Sequence, residues 1–453
     1  VRPEAGPQVA DRSELPPVRV DLGRYLERLE AVEGFRQRGW VSQVIGLTIE
    51  SSGPRATLGQ LCTVHPAGAR RPILAEVVGF RDRKTLLMPL GEMHGIGPGN
   101  PVVAERRGLT APVGWKLLGR VLDGLGRPMD DGGPLQVEGR YPVHRTPPDP
   151  LARQRVTAPL PLGVRAIDGL VTCGRGQRLG IFSGSGVGKS TLLGMIARNT
   201  AADVNVIGLI GERGREVRDF LEEDLGPEGL ARSVVVVATS DQPALVRTKG
   251  AYLATAIAEF FRDQGKDVLL LMDSVTRFAA AQREVGLAVG EPPATKGYTP
   301  SVFAELPRLL ERSGSSERGT ITGLYTVLVD GDDLTDPIAD SVRSILDGHV
   351  VLSRRLAERE HYPAVDVLAS VSRVMRDVTG PAHQRAAARV RALLAAYRDA
   401  EDLIQVGAYA HGSNPEVDTA MARMEAIEAF LRQDVDERSD LEETLRGLEA
   451  LAG

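Results

Sequence analysis

The run Arg178-Leu-Gly-Ile-Phe-Ser-Gly-Ser-Gly-Val-Gly-Lys-Ser-Thr191 limits what this chain can fold into more than any other stretch. A short apolar run, Leu179 to Phe182, stops at Ser183-Gly184-Ser185-Gly186-Val187-Gly188-Lys189-Ser190-Thr191, and apolar residues resume from Leu192 to Ile196. That order predicts strand, tight turn, helix. The glycines let the backbone curl with no Cβ in the way, so that successive N–H groups turn inward. The opening helix adds the positive end of its dipole. A polyphosphate suits such a cradle. Lys189 is expected to reach the β- and γ-phosphates of ATP, and the Ser190 hydroxyl to ligate Mg²⁺. The strict pattern opens with Gly where this chain has Ser183, which is small enough for the strand-to-turn corner.

Further apolar runs recur between helical stretches: Val204–Ile210, Val234–Ala238, Val268–Met272, Thr320–Val329 and Val350–Leu352. Apolar strands alternating with helices imply an α/β fold whose mainly parallel sheet is covered on both faces. In Asp267-Val-Leu-Leu-Leu-Met-Asp273 such a strand ends in a carboxylate, at the edge where a phosphate site meets the sheet. Asp273 is expected to hold Mg²⁺ through a water. Gly211-Glu212-Arg213-Gly214-Arg215-Glu216 follows another strand, which puts Glu212 at the same kind of edge. A carboxylate there can polarise an attacking water, and Arg213 beside it is placed to support that carboxylate or the γ-phosphate. Taken alone, a charged hexapeptide after a strand is more often a solvated helix start.

With 453 residues the chain has room for two or three domains. Residues 1–35 read as a Pro-rich tail followed by a helix with an apolar stripe (Leu22, Tyr25, Leu26, Leu29, Val32). That stripe suits packing on the chain's own next domain and docking to a partner about equally. Residues 36–108 hold about five short β-type runs separated by turn signals, the pattern of a small β-barrel. Residues 109–380 form the nucleotide domain, entered through an ordered Pro-rich connector, Tyr141–Pro150. Residues 381–453 carry helical stripes, with Asn414-Pro415 as a cap and first helical residue.

Lys and Arg total 55 against 60 acidic residues, a balance that argues against a nucleic-acid partner. On the barrel only Trp40 and Phe80 are aromatic, too few for a base-stacking platform. Two cysteines make no disulfide framework or metal spacing, so a reducing, cytoplasmic setting is expected. The histidines show no paired helical spacing, and no zinc site is expected. No stretch is apolar for long enough to span a bilayer, and none reads as a signal peptide. Since Val1 rather than Met comes first, the natural start is expected upstream.

The phosphate loop, Gly211–Glu216 and Asp273-Ser-Val-Thr-Arg277 together resemble the ATPase family that includes the rotary ATP synthase catalytic subunit. Other segments are similar, more closely, to the protein-export ATPases of flagellar type III secretion. These are Thr239–Pro243, Gly290–Tyr298, Asp330–Asp333, Ile345–Arg354 and Ser370–Met375. The match covers most of residues 20–432. It implies a RecA-like P-loop NTPase core, an N-terminal small β-barrel, a C-terminal helical domain and a homohexameric ring that hydrolyses ATP to drive protein export. Glu212 then matches the catalytic carboxylate, Arg373 the arginine finger acting on a neighbouring subunit, and Tyr362 the tyrosine that stacks on adenine. The loop Val285–Tyr298 resembles the segment lining the ring's central channel. The resemblance also implies a regulator or stator at the N-terminus, a central stalk, export substrates with their chaperones, and peripheral attachment to a membrane export gate. The virulence (injectisome) branch is the near alternative. A Rho-like RNA translocase would need aromatics that the barrel lacks, and a subunit without turnover would not need Glu212.

Overall fold

The computed structural model describes residue 25 and residues 37–68, 71–329 and 336–453. The N-terminal tail and docking helix, apart from Tyr25, lie outside the described residues, as does Asp330–Asp333.

Six strands open the described chain: β1 (Arg38–Ile45), β2 (Thr48–Ser52), β3 (Leu61–Val64), β4 (Ile73–Arg81), β5 (Lys84–Pro89) and β6 (Pro101–Ala104). They close into a barrel in the order β1-β2-β5-β4-β3-β6. The sequence pattern suggests about five strands. The difference arises because Gly46, at φ 55°, turns the Val41–Ile49 run back on itself as the β1–β2 hairpin. Val41, Ile49, Val64, Val77, Leu87 and Val102 fill the interior. Closure needs Gly39, where a Cβ would lie 2.0 Å from the Gly53 carbonyl carbon.

Beyond the barrel, β7 (Thr110–Val113) and β9 (Gly139–Pro142) pair with each other, and β8 (Val121–Asp123) joins the main sheet. That sheet contains β10 (Arg178–Ser183), β11 (Val204–Ile210), β12 (Ser233–Ala238), β13 (Asp267–Asp273), β15 (Thr320–Leu328), β16 (Gly348–Leu352) and β17 (Val365–Ser372). Its order is β17-β16-β10-β15-β13-β11-β12-β8, with the two-residue β14 (Gly314–Ser315) on β15. All pairs are parallel except β16–β17 and β14–β15.

Side chains of a strand alternate between faces, so the sheet feeds two apolar layers. Leu269 and Leu271 enter one, with the helix Lys189–Asn199; Leu270 and Met272 enter the other, with helices Ala244–Asp263 and Val275–Val289. Helices Pro381–Gln405, Pro415–Leu431 and Leu441–Ala452 insert Val390, Leu393, Ile427 and Leu448 into the first layer. The C-terminal helices therefore share the core of the nucleotide sheet. Asn414 Oδ1 accepts from the Glu416 amide at 3.0 Å and starts the second of them, as its position before Pro415 predicts.

Two buried ionic contacts tie the parts together. Lys249 on the long core helix reaches Glu76 of β4 at 2.7 Å and His144 of the connector at 2.8 Å. Arg312, 1 % exposed, holds both oxygens of Glu259 at 2.8 Å and the Val143 carbonyl at 2.6 Å. The loop expected from Val285 starts later: the helix continues to Val289 and ends at Gly290, whose φ of 95° caps it. Helical packing of Val285 outweighs the breaker signal of Gly286.

Candidate active site

The parallel strands bring their C-terminal ends to one edge, and the candidate residues collect there. After β10 the chain turns through Gly186 (φ 77°) and Gly188 (φ 85°) into the helix Lys189–Asn199. A left-handed backbone at two places in so short a turn demands glycine. Ser183, expected in the cradle, is the last residue of β10 and fully buried, with no partner for its hydroxyl among the described residues.

Lys189 lies between two carboxylates. Its ammonium pairs with Asp273 Oδ1 and stands 3.6 Å from Glu212 Oε1. Asp273 comes from the end of β13, two strands away from β10; the intervening β15 supplies Thr326, whose hydroxyl donates to Asp273 Oδ1 at 2.6 Å. Thr326 carries no sequence signal, since only strand order puts it there. Burial works against the Lys189 charge, but Asp273 and Glu212 outweigh it and hold its pKa above the ordinary lysine value.

Glu212 follows β11, and burial pushes its carboxyl up to about 7, with Lys189 opposing and Asp273 adding to the rise. It shares a hydrogen bond with Glu216, which raises the Glu212 pKa and lowers that of Glu216. Glu212 Oε1 is buried with no hydrogen-bond partner among the described residues. Arg277, in the first turn of the helix after β13, acts electrostatically on Glu212 and has a buried Nε with no hydrogen-bond partner among the described residues. Its place in the Asp273–Arg277 motif was the only sequence signal for it. Arg213 does not join the cluster: its side chain is 73 % exposed and pairs with Glu216 at 3.3 Å.

Tyr362 stands at the mouth of the loop, 40 % exposed, and lines a cavity of about 760 Å³ with Gly186, Gly188 and Thr191. The far wall of that cavity is Arg432–Val435, between the last two helices, which the sequence did not mark. Arg373 lies elsewhere. β17 runs antiparallel to β16, so Ser372 pairs with Gly348 and the Arg373 amide bonds the Asp347 carbonyl, while Ser183 is level with Leu352. Five strand residues separate the two levels, roughly 15 Å. Arg373 is therefore at the opposite edge from its own phosphate loop.

Known proteins resemble this chain along most of its length. Residues 163–372 match the ATP synthase alpha/beta family nucleotide-binding domain, and residues 41–105 match that family's beta-barrel domain. Fold and loop together define a P-loop ATPase of the ATP synthase alpha/beta class. Residues 379–450 match the T3SS EscN ATPase C-terminal domain. The chain is 55% identical over 431 residues to the Flagellum-specific ATP synthase of Bacillus subtilis, covering 94% of this chain and 98% of that one. It is 53% identical over 410 residues to the Type 3 secretion system ATPase of Xanthomonas euvesicatoria, covering 90% and 93%. The assembled ATPase EscN of enteropathogenic E. coli, solved in complex with its central stalk EscO, superposes with a TM-score of 0.85 at 47% identity, covering 92% of this chain and 100% of that one. The chain belongs to the family of flagellum-specific ATP synthases and type 3 secretion system ATPases, and it is an ATPase.

Proposed function

We propose that this ATPase energises protein export through a flagellar type III secretion apparatus, as a Mg²⁺-dependent homohexamer. The observation that carries the catalytic reading is Lys189 held between Asp273 and Glu212 at the mouth of the phosphate loop. In this reading Lys189 binds the β- and γ-phosphates and the loop amides orient them. Glu212, whose buried Oε1 lies 3.6 Å from the Lys189 ammonium and takes no hydrogen bond among the described residues, accepts a proton from the attacking water. Arg277, which acts electrostatically on Glu212, counters charge that develops on the transferred phosphoryl group.

The Ser190 hydroxyl and the Asp273 carboxylate are hard oxygen donors, which suits Mg²⁺ held by one or two protein groups and the nucleotide phosphates. Among the described residues no cluster of three or more His, Cys, Asp or Glu could hold a metal unaided, in keeping with that mode. Bound there, Mg²⁺ would neutralise phosphate charge. Tyr362 offers its ring to the adenine. Arg373, on the far edge from its own loop, serves the site of the next subunit in the ring.

EscN assembles on a central stalk, and an equivalent stalk in this ring is part of the proposal. Among the described residues no helix is long and apolar enough to cross a membrane, which suits a cytoplasmic ring attached peripherally to the export gate. The N-terminal residues are assigned to a regulator or stator, and export substrates with their chaperones complete the partners. The test has two arms. Turnover should rise with protein concentration and ignore added RNA. Deleting the gene in its own organism should abolish secretion of flagellar filament subunits. Loss of a virulence effector with intact flagella would transfer the protein to the injectisome branch.

A further inference from the structure

One wall of the cavity beside Tyr362 is formed by Arg432–Val435 and Glu437, in the strap between the second and third C-terminal helices. Gln433 fastens it. Its side chain is 5 % exposed, with Nε2 donating to the Gly163 carbonyl at 2.8 Å and to the Glu437 carbonyl at 3.0 Å, and Oε1 accepting from the Arg165 amide at 2.9 Å. Its own backbone amide donates to the Tyr362 carbonyl at 3.0 Å. The receiving turn is itself rigid, because the buried Asp168 carboxylate accepts from the Leu162 and Gly163 amides, each at 2.8 Å. Arg165 adds a bond to the Phe430 carbonyl at 2.8 Å and an ion pair with Glu437.

We propose that Gln433 is the positioning residue for Tyr362. The inference rests on Tyr362 being the base-stacking residue. Three core segments, the Gly163–Arg165 turn, Tyr362 and the strap, meet on this one side chain and its amide. Movement of the strap is transmitted to the Tyr362 backbone through that amide bond, and Tyr362 lines the same cavity as Gly186 and Gly188 of the loop.

The test uses the full chain at one fixed protein concentration, with KM for ATP and kcat measured for Gln433→Glu, Tyr362→Ala and the double variant. Gln433→Glu keeps the shape and the acceptor but loses both donated bonds. Leaving buried carbonyls unpaired should raise KM on the order of tenfold, while kcat stays within about twofold, since positioning of the base is not the chemical step. In the Tyr362→Ala background the same change should add nothing. If Tyr362→Ala raises KM and Gln433→Glu does not, or if the two effects multiply, Gln433 does not act through Tyr362 and the inference fails alone. If Tyr362→Ala leaves KM unchanged, the base-stacking reading fails with it. A second variant covers the case in which Gln433→Glu does not fold: Gln433→Asn keeps the amide but shortens its reach, so it should also raise KM and add nothing to Tyr362→Ala, and an unchanged KM overturns the inference.

Discussion

Replacing Glu212 with Gln should make the protein inactive and, above neutral pH, more stable. In the nucleotide-free protein the Glu212 carboxyl is raised from its ordinary 4.5 to about 7, chiefly by burial. Holding it ionised in the folded state therefore costs on the order of 3 kcal/mol. The direction follows from proton counts. Between pH 4.5 and about 7 the folded chain binds the proton more tightly than the unfolded one, so this contribution to stability is lost as pH rises through that window. Gln is neutral at every pH, and its amide can donate to Glu216 as the protonated acid does. The gain from Glu212→Gln should be about 1 kcal/mol at pH 5 and about 3 kcal/mol at pH 8. Turnover should fall roughly 10²–10⁴-fold with nucleotide binding kept, because the carboxylate acts on water. Denaturation of both proteins in EDTA at the two pH values, beside an ATPase assay, checks both halves. A stability gap that does not widen with pH would refute the burial argument. Near wild-type turnover would remove Glu212 from the chemistry.

Arg373→Ala and Lys189→Ala should each abolish hydrolysis, the first with ATP binding retained. In mixed rings an Arg373→Ala subunit can use the finger of a Lys189→Ala neighbour, so turnover or binding of ADP with aluminium fluoride should return; recovery of neither would place Arg373 outside the trans site. At the barrel junction, Lys249→Ala strands a Glu76 carboxylate whose side chain is 8% exposed. Breaking such a pair costs about 3–5 kcal/mol, and the loss should shrink below neutral pH because burial already raises the Glu76 pKa. Unchanged midpoints at pH 8 would mean that the pair does not secure the barrel.

Much of this molecule is visible in one dimension. The phosphate loop is contiguous, and its glycines are required by local backbone geometry that no distant contact alters. The strands of the core announce themselves because a parallel sheet covered on both faces needs unbroken apolar runs, as in Val268–Met272. Asp273 and Glu212 were legible for a related reason: a charged residue ending such a run must sit at a sheet edge. The Asn414 cap, too, is a local device.

What the tertiary structure decided is everything that depends on strand order and on which helix closes which cavity. Thr326 meets Asp273 only because β15 lies between β10 and β13. Arg373 faces away from its own loop because β17 reverses direction on β16, a register that residue pattern does not encode. Arg213, adjacent to Glu212 in sequence, turns outward because neighbouring residues at a helix start point to different sides, and Arg277, distant in sequence, takes the inward place. Gln433 has no pattern of its own, and its partners Gly163, Arg165 and Tyr362 are far away along the chain. Local chemistry writes the loop, the strands and the caps into the sequence. Long-range packing alone chooses the residues that hold the nucleotide cavity together, because a hydrogen bond depends on distance in space and not on spacing along the chain.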